Sequence, residues 1–274
     1  MFVSPRRPAN MVEAALVTLS LIYDNTVHKL RMNDRNAIYG LFKSILQSVA
    51  LVLVFYLSYS VMGIRSSPMR GDFILFIMSG IFLYMTHVSA VGAVAMAEGP
   101  TSPMMKHTPM NTAISITSAA LAALYRQVIA SLVIFYVYTA TIAPLHMESW
   151  RGCLAMLLLA WFSGCCVGLI FRSISAWFPG PGRAITVIYQ RVNMIASGKM
   201  FVANTLPGFM LAMFDWNPLF HIIDQTRGFA FINYTPHNSN WHYPLYVTIA
   251  LLMIGLMLEF VTRRAQSISW HAAR

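Results

Sequence analysis

Charged residues are scarce in this sequence. Asp, Glu, Lys and Arg together make up 10% of the 274 residues, whereas hydrophobic residues make up 57%. Since about a quarter of the residues of a soluble protein are charged, this composition indicates an integral membrane protein. The net charge is +10, but the basic residues flank apolar runs and do not form one patch. That distribution is typical of membrane topology and does not favour binding to nucleic acid.

Cysteine is also rare, with Cys153, Cys165 and Cys166 all inside one apolar run. They form no CxxC or Cys/His spacing, so neither a disulfide framework nor a zinc or other metal site is expected. The first 40 residues lack an isolated apolar core followed by a small-residue cleavage site. We therefore expect no cleavable signal peptide, and insertion must depend on internal spans.

The common catalytic motifs are absent as well. The sequence contains no GxxxxGK[ST], HExxH or GxSxG pattern, so the chain is not expected to use ATP by itself or to carry a cofactor. Its nine acidic residues lie mostly in loops, and none is in the middle of an apolar run, which counts against an ion-driven secondary transporter. A membrane-embedded enzyme stays open as an alternative, with His87, His221 and Asp224 as its candidate site residues.

Apolar runs of about the length that a bilayer requires predict an all-α membrane protein with six transmembrane helices. The predicted spans are 44–63, 73–95, 127–143, 153–171, 184–201 and 245–261. Arg126 divides the long apolar run that contains the third span, and the fourth span contains a small-xxx-small face from Gly164 to Gly168. Residues 172–183 are rich in Pro and Gly, which predicts a turn. The fifth span carries several polar side chains, which we expect to face other helices or a water-filled path.

Two further segments are not predicted to cross the bilayer. Residues 11–32 have apolar side chains at spacings of three and four, which predicts an amphipathic helix on the membrane surface or against a soluble neighbour. Residues 202–243 are too polar and too rich in proline to span. Most of the 19 Lys and Arg residues lie on the side that holds both termini, so the termini are expected in the cytoplasm and 202–243 outside.

Within this external segment, Asn217-Pro218 predicts the end of one short helix and the cap of the next. Asp224 and Arg227 are three residues apart, a spacing that allows a pair on one helical face. We therefore predict a re-entrant pair of short helices between spans five and six.

Residues 216–227 read Trp-Asn-Pro-Leu-Phe-His-Ile-Ile-Asp-Gln-Thr-Arg. They resemble the W-N-P-L-x-H-x-x-(acid)-x-x-R signature of type-2 ABC exporter membrane subunits, especially those that export capsular or other cell-surface polysaccharides in Gram-negative bacteria. Residues 196–201, followed by Leu206-Pro207, resemble the small-residue run that precedes the external helices of that family. The resemblance covers most of the chain.

This resemblance implies three groups of site residues. The external gate segment would contain Trp216, Asn217, Pro218, His221, Asp224 and Arg227. A cytoplasmic loop that docks on an ATPase would contain Glu98, Gly99, Pro100, Lys106 and Pro109. The candidate channel lining is Phe55, Tyr56, Tyr59, Tyr189, Arg191 and Asn193, although its aromatic residues also fit helix packing or an interfacial belt.

The resemblance also implies an assembly in the bacterial inner membrane. Two copies of the chain would pair, and two separate nucleotide-binding subunits, which hold ATP and Mg, would attach to them. A lipid-linked polysaccharide would pass between the copies, with periplasmic or outer-membrane export proteins as further partners. Alternative substrates within the same class are O-antigen, another glycolipid, a lipid or a drug.

Overall fold

The computed structural model describes residues 10–32, 37–61, 72–99, 111–144 and 147–272. Within these ranges the chain is helical and contains no β-strand, so the all-α fold is confirmed. The helices are α1 (Met11–Met32), α2 (Ala37–Val61), α3 (Phe73–Ala95), α4 (Thr112–Thr141), α5 (Trp150–Trp177), α6 (Pro179–Ala196), α7 (Gly208–Phe214), α8 (Pro218–Ala230) and α9 (His242–Ala272), with a 3₁₀ turn at Ala203–Thr205.

Five of the described helices, α2, α3, α4, α5 and α9, are long and apolar enough to cross a membrane. Helix α6 is not among them, because its Pro-Gly-Pro-Gly start and its polar residues make its 18 residues less apolar. The crossing of the bilayer by residues 184–201, the fifth of six predicted spans, stays a prediction.

Two helix boundaries can be compared with the sequence. Helix α4 runs unbroken through Arg126 from Thr112 to Thr141, and the crossing of the bilayer at 127–143 stays a prediction. The turn predicted at 172–183 is wrong, because α5 continues to Trp177 and α6 begins at Pro179, with Phe178 alone between them. Proline is well tolerated in the first turn of a helix, where its missing N–H would have no partner. The Pro-Gly segment therefore starts a helix.

Helix α3 is the centre of the bundle. In its most apolar stretch 78% of the residues are buried, whereas the corresponding value for α2 and α9 is 17%, which leaves their apolar surfaces open to lipid. Gly164 and Gly168 on α5 face α3, and a Cβ atom there would lie 2.4 Å from the carbonyl oxygen of His87 and 2.8 Å from that of Val91. The predicted small-residue packing face is thus confirmed.

Helix α1 has the bounds expected from the sequence and packs on the first half of α4. The ammonium group of Lys29 donates hydrogen bonds to the carbonyl and hydroxyl oxygens of Ser115 (3.0 and 3.1 Å). The apolar side chains of Val12, Leu16 and Leu19 remain exposed. The apolar face of α1 is therefore available to the membrane surface or to a neighbouring protein, as the sequence left open.

The connection from α6 to α9 contains the 3₁₀ turn, α7 and α8. It starts with Gly198, whose φ of 64° is in the left-handed region that favours glycine. A Cβ at this position would also lie 2.3 Å from the ring of Phe220. Helix α8 packs against α3, α5 and α9. Helix α8 thus lies against the central helix α3 and two other long helices.

Candidate functional site

The predicted gate segment contains α7 and α8, which meet at Asn217. The side-chain oxygen of Asn217 accepts a hydrogen bond of 3.0 Å from the backbone N–H of Leu219, and Pro218 is the first residue of α8. This arrangement satisfies one of the N–H groups that a helix start leaves unpaired. The predicted helix cap is confirmed.

Asn217 also attaches α8 to α6. Its side-chain amide donates hydrogen bonds of 2.9 Å to the side-chain oxygen of Asn193 and to the carbonyl oxygen of Ala196. Asn193 in turn donates to the carbonyl oxygen of Tyr189 at 3.2 Å. Both asparagines are buried, so these hydrogen bonds fix the position of the α8 N-terminus.

Arg227 is a second attachment, near the end of α8. Its buried guanidinium group donates to the carbonyl oxygen of Lys199 at 2.6 Å and to that of Phe201, and it lies 4.2 Å from the centre of the Phe76 ring on α3. Burial lowers the pKa of Arg227 to about 10, and the nearby charge of Asp224 opposes this shift. Arg227 therefore stays charged at neutral pH and binds the backbone on both sides of Met200.

Asp224 has different partners from those expected. Its carboxylate accepts hydrogen bonds from the hydroxyl groups of Tyr234 and of Ser239, the latter at 2.7 Å. Among the described residues, no ion pair or hydrogen bond joins Asp224 to Arg227, so the predicted direct pair is wrong. The two side chains leave α8 in different directions: Asp224 binds the loop after the helix, and Arg227 binds the chain before α7.

Lys199 is buried beside Arg227 in an environment that the sequence did not indicate. Its ammonium nitrogen lies 3.5 Å from the centre of the Tyr84 ring and 5.2 Å from that of Phe55, and it has no hydrogen-bond partner among the described residues. Gly80 makes room for this arrangement, because a Cβ atom there would lie 2.9 Å from both the Cβ and the carbonyl oxygen of Lys199. Lys199 is more than one hundred residues away in the sequence from Phe55, Tyr84 and Gly80. No spacing pattern in the sequence could therefore predict these contacts.

His221 is in the first turn of α8, six residues before Arg227. Its Nε2 donates to the carbonyl oxygen of Asp215 at 2.7 Å and lies 3.2 Å from the Asp215 carboxylate, while Nδ1 accepts from the backbone N–H of Asn240 at 3.4 Å. Both ring nitrogens are therefore occupied by structural contacts. The Asp224 carboxylate is also hydrogen-bonded, to Tyr234 and Ser239. This arrangement therefore gives no support to a catalytic pair of His221 and Asp224.

Trp216 and His221 border an open depression, which we call the outer cleft. It lies between α7, the first turn of α8 and residues 237–243, and its volume is about 650 Å³. Thus the six predicted gate residues do not form one site. Trp216 and His221 face the cleft, whereas Asn217, Asp224 and Arg227 hold the segment together inside the protein.

The candidate channel residues are divided between the surface and the interior. Tyr56 and Arg191 are exposed, Tyr59 and Tyr189 are half-buried, and Phe55 and Asn193 are buried. The hydroxyl of Tyr59 donates to the carbonyl oxygen of Met200, and that of Tyr189 lies 3.0 Å from Nε2 of His87. Several of these side chains thus pack within one copy, and their contact with a polymer stays a prediction.

Only part of the predicted ATPase-docking loop lies within the described residues. Pro100, Lys106 and Pro109 lie outside the described residues, whereas Glu98 and Gly99 end the range 72–99. Arg172 on α5 donates to the carbonyl oxygens of Ala97 at 3.3 Å and Glu98 at 3.2 Å and forms an ion pair with Glu259 on α9. The chain that leads into the loop is therefore attached to two long helices.

Comparison with known proteins agrees with this architecture. The sequence model of the ABC-2 type transporter family matches residues 27–231, well over half of the chain. Two Escherichia coli proteins, both named polysialic acid transport protein KpsM, are 28% and 27% identical to the chain over 106 residues. The matched region covers 37% of this chain and 41% of the length of each relative.

The family match and the apolar helices describe the same kind of molecule. An ABC-2 membrane domain is the permease component of a transporter and not a catalytic domain, and such permeases in general associate with ATPase subunits and dimerise. The five apolar helices fit a multi-pass protein of the inner membrane. The chain therefore belongs to the ABC-2 type transporter family, as a membrane subunit.

Proposed function

We propose that this chain is the membrane-spanning half of an ATP-driven exporter that moves a lipid-linked capsular or other cell-surface polysaccharide across the inner membrane. Two copies would form the path, and two separate ATPase subunits would bind ATP and Mg. Both termini would lie in the cytoplasm, with the segment 202–243 outside. The family match supports the transporter class, and the name of the two relatives supports a polysaccharide as the substrate.

The observation that carries this proposal is the attachment of α3 at both of its ends. Near its start, Phe76 packs on the guanidinium of Arg227 and Gly80 borders Lys199. Beyond its last residue, Arg172 holds the carbonyl oxygens of Ala97 and Glu98. One helix of 23 residues, about 34 Å long, thus joins the predicted docking loop to the segment 202–243, which we call the outer segment.

A buried and tightly packed helix transmits displacement as a rigid body, because protein interiors deform little. Closure of the ATPase subunits would therefore move the outer segment through α3. No movement of charge or protons within the chain is needed for this coupling. The energy source lies in the partner subunit, which fits a chain that has no P-loop of its own.

The proposal is tested by assembly and ATP turnover. The chain is co-expressed with a candidate nucleotide-binding subunit from the same organism, and both are purified in lipid nanodiscs. We expect a complex with two copies of each subunit, Mg-dependent ATP hydrolysis by the complex, and none by this chain alone. A chain that stays monomeric and never associates with a nucleotide-binding subunit would contradict the proposal.

The neighbouring genes and the substrate measured in transport separate the alternatives within this class. Glycosyltransferase genes beside this one would favour a polysaccharide, whether capsule or O-antigen. Transport of a drug or a simple lipid, with no polysaccharide moved, would replace the proposed substrate and leave the exporter in place.

A further inference from the structure

The outer cleft is a concave surface beside α8 that is lined mostly by polar side chains. Its walls are fixed by hydrogen bonds within the segment. The hydroxyl of Tyr243 donates to the carbonyl oxygen of Trp216 at 2.8 Å, and the backbone N–H of Tyr243 donates to the side chain of Asn240 at 2.8 Å. The imidazole of His221 packs 4.7 Å from the Tyr243 ring. The cleft is therefore formed before any ligand arrives, which reduces the entropic cost of binding.

The opposite wall is fixed in the same way. The side chain of Asn204 donates to Nδ1 of His237 at 3.1 Å and accepts from the backbone N–H of His237 at 3.1 Å. Asn238 donates to the carbonyl oxygen of Ala203 at 3.3 Å. These contacts attach the loop that lines the cleft to the 3₁₀ turn.

Trp216 offers an apolar ring face to the solvent side. The residue is 62% exposed, yet its indole N–H already donates to the carbonyl oxygen of Met213 at 2.7 Å. An exposed ring whose only donor is satisfied can bind a ligand through its face. Beside it, the side chain of Asp215 is 57% exposed. The hydrogen bonds named above use the amide nitrogen of Asn238 and the side-chain oxygen of Asn240, so the Asn238 oxygen can accept from a ligand and the Asn240 nitrogen can donate to it.

An aromatic face bordered by planar polar groups fits the chemistry of a sugar ring. One side of a pyranose presents C–H groups that pack on an aromatic ring, and its edge presents hydroxyl groups that donate and accept hydrogen bonds. Ligand sites in general combine such an apolar surface with a few fixed polar groups. The cleft volume of about 650 Å³ is within the range of small-molecule sites.

The charge of the cleft narrows the choice of sugar. Its lining residues, all of which the structure describes, include Asp215 and contain no Lys or Arg. A sugar that carries a carboxylate would meet a like charge, which opposes binding. The cleft therefore suits an uncharged sugar better than an acidic one.

We propose that the outer cleft binds an uncharged pyranose unit, with its C–H face on Trp216 and its hydroxyl groups on Asp215, Asn238 and Asn240. As the ligand of an exporter, this unit would be part of the glycan that leaves the membrane, so the assignment of the sugar to an exported polymer rests on the proposed function. The cleft would hold the emerging chain at the external side of α8.

The test uses the full chain in lipid nanodiscs and defined sugars. The neutral probes are hexasaccharides of glucose, galactose, mannose and N-acetylglucosamine, and the acidic probe is a hexamer of sialic acid. Saturation-transfer NMR reports which sugar protons contact the protein. We expect transfer to the C–H protons of at least one neutral probe, weaker transfer to the sialic acid hexamer, and a Kd about fivefold to tenfold higher in Trp216→Ala.

Trp241→Ala is the matched control. Trp241 is also exposed, at 42%, but it stacks on His242 and does not line the cleft. Exposed tryptophans also anchor proteins at membrane interfaces. If Trp216 were only such an anchor, the two alanine variants would behave alike, and that result would overturn the proposal.

Asp215→Asn tests the charge argument without removing the shape of the cleft. We expect this variant to keep binding the neutral probe and to bind the sialic acid hexamer more tightly than the unmodified chain does. Equal binding of neutral and acidic probes by the unmodified chain, or no transfer to any neutral probe, would overturn the proposal. ATP-driven export without sugar binding in the cleft would reject only the proposed sugar site. Sugar binding without ATP-driven export would reject only the proposed export function.

Discussion

The side-chain amide of Asn217 donates a hydrogen bond of 2.9 Å to the side-chain oxygen of Asn193. This contact joins the first turn of α8 to the last turn of α6. The same Asn217 side chain caps α8 through its oxygen and binds the carbonyl oxygen of Ala196 through its nitrogen. One residue thus sets both where α8 begins and which helix it lies against.

Replacement of Asn217 separates these two roles. Asn217→Ala loses the cap, at a cost of about 1 kcal/mol, and leaves the oxygens of Asn193 and Ala196 without a donor, at a further cost of about 1–3 kcal/mol. Asn217→Asp keeps a capping oxygen but loses the donor and places a carboxylate beside two oxygens. We expect both variants to lower the free energy of unfolding, measured by denaturant titration in mixed micelles.

Ser149→Ala is the control for loss of a cap alone, since Ser149 accepts from Gly152 at the start of α5. We expect it to cost about 1 kcal/mol. If Asn217→Asp were as stable as the unmodified chain, the contact with α6 would contribute nothing.

Arg227 is expected to contribute strongly to the stability of the fold through its buried hydrogen bonds. Arg227→Ala removes two hydrogen bonds to buried carbonyl oxygens, each of which contributes about 1.5–3 kcal/mol when the donor is charged. Arg227→Lys keeps the charge but lacks the planar fork that reaches both oxygens, so we expect a smaller loss. The readout is the midpoint of thermal unfolding of the purified chain.

The control for this comparison is Arg151→Ala, because Arg151 is exposed in the first turn of α5. Substitutions of exposed residues change stability by about 0.5 kcal/mol or less. Similar unfolding midpoints for Arg151→Ala and Arg227→Ala would show that the buried contacts of Arg227 are not important for the fold.

Gly164 tests the close packing of α5 on α3. A methyl group there would lie 2.4 Å from the backbone oxygen of His87, which cannot move without moving α3, so we expect Gly164→Ala to cost about 1–3 kcal/mol. Gly208→Ala, where a Cβ atom meets nothing within 4 Å, is the control. Equal stability of the two variants in the same micelles would contradict the backbone contact.

Stability is expected to depend on pH through Lys29. Burial lowers the pKa of Lys29 below its ordinary value of 10.5; the Glu98 carboxylate opposes this shift and Arg172 adds to it. Between the lowered pKa and 10.5 the unfolded chain binds more protons than the folded chain, so the free energy of unfolding rises as pH rises through that window. Lys29→Met and Lys29→Arg should both reduce this slope, and an unchanged slope in both variants would refute the assignment.

The sequence predicted the features that depend on local patterns. Apolar runs predicted the long helices, and Asn217-Pro218 predicted the helix cap, because both signals lie within a few residues of what they specify. Gly164 and Gly168 predicted close packing, although not the partner helix. The same local reasoning failed at Pro179, where a Pro-Gly sequence typical of turns begins a helix.

The contacts of the buried charges could not be read from spacing. Asp224 and Arg227 have the spacing of an ion pair on one helical face, yet Arg227 binds backbone carbonyl oxygens. Every residue has a carbonyl oxygen, so the sequence does not indicate which ones Arg227 binds. Lys199 lies over Tyr84, and these residues come together only when α3 packs against the end of α6. Such partners depend on the tertiary fold. The outer cleft could not be predicted from the sequence for the same reason, because its lining comes from α7, α8 and residues 237–243.

The most direct test of the exporter is transport by inverted vesicles that contain the chain and its nucleotide-binding subunit. Lipid-linked polysaccharide made on the outer face of such vesicles is followed by its protection from an added glycosidase. The account predicts that Mg-ATP makes the polymer resistant to the enzyme, and that resistance is lost without ATP or without this chain. Polymer that becomes protected without ATP, or that stays fully sensitive with both subunits and Mg-ATP present, would contradict it.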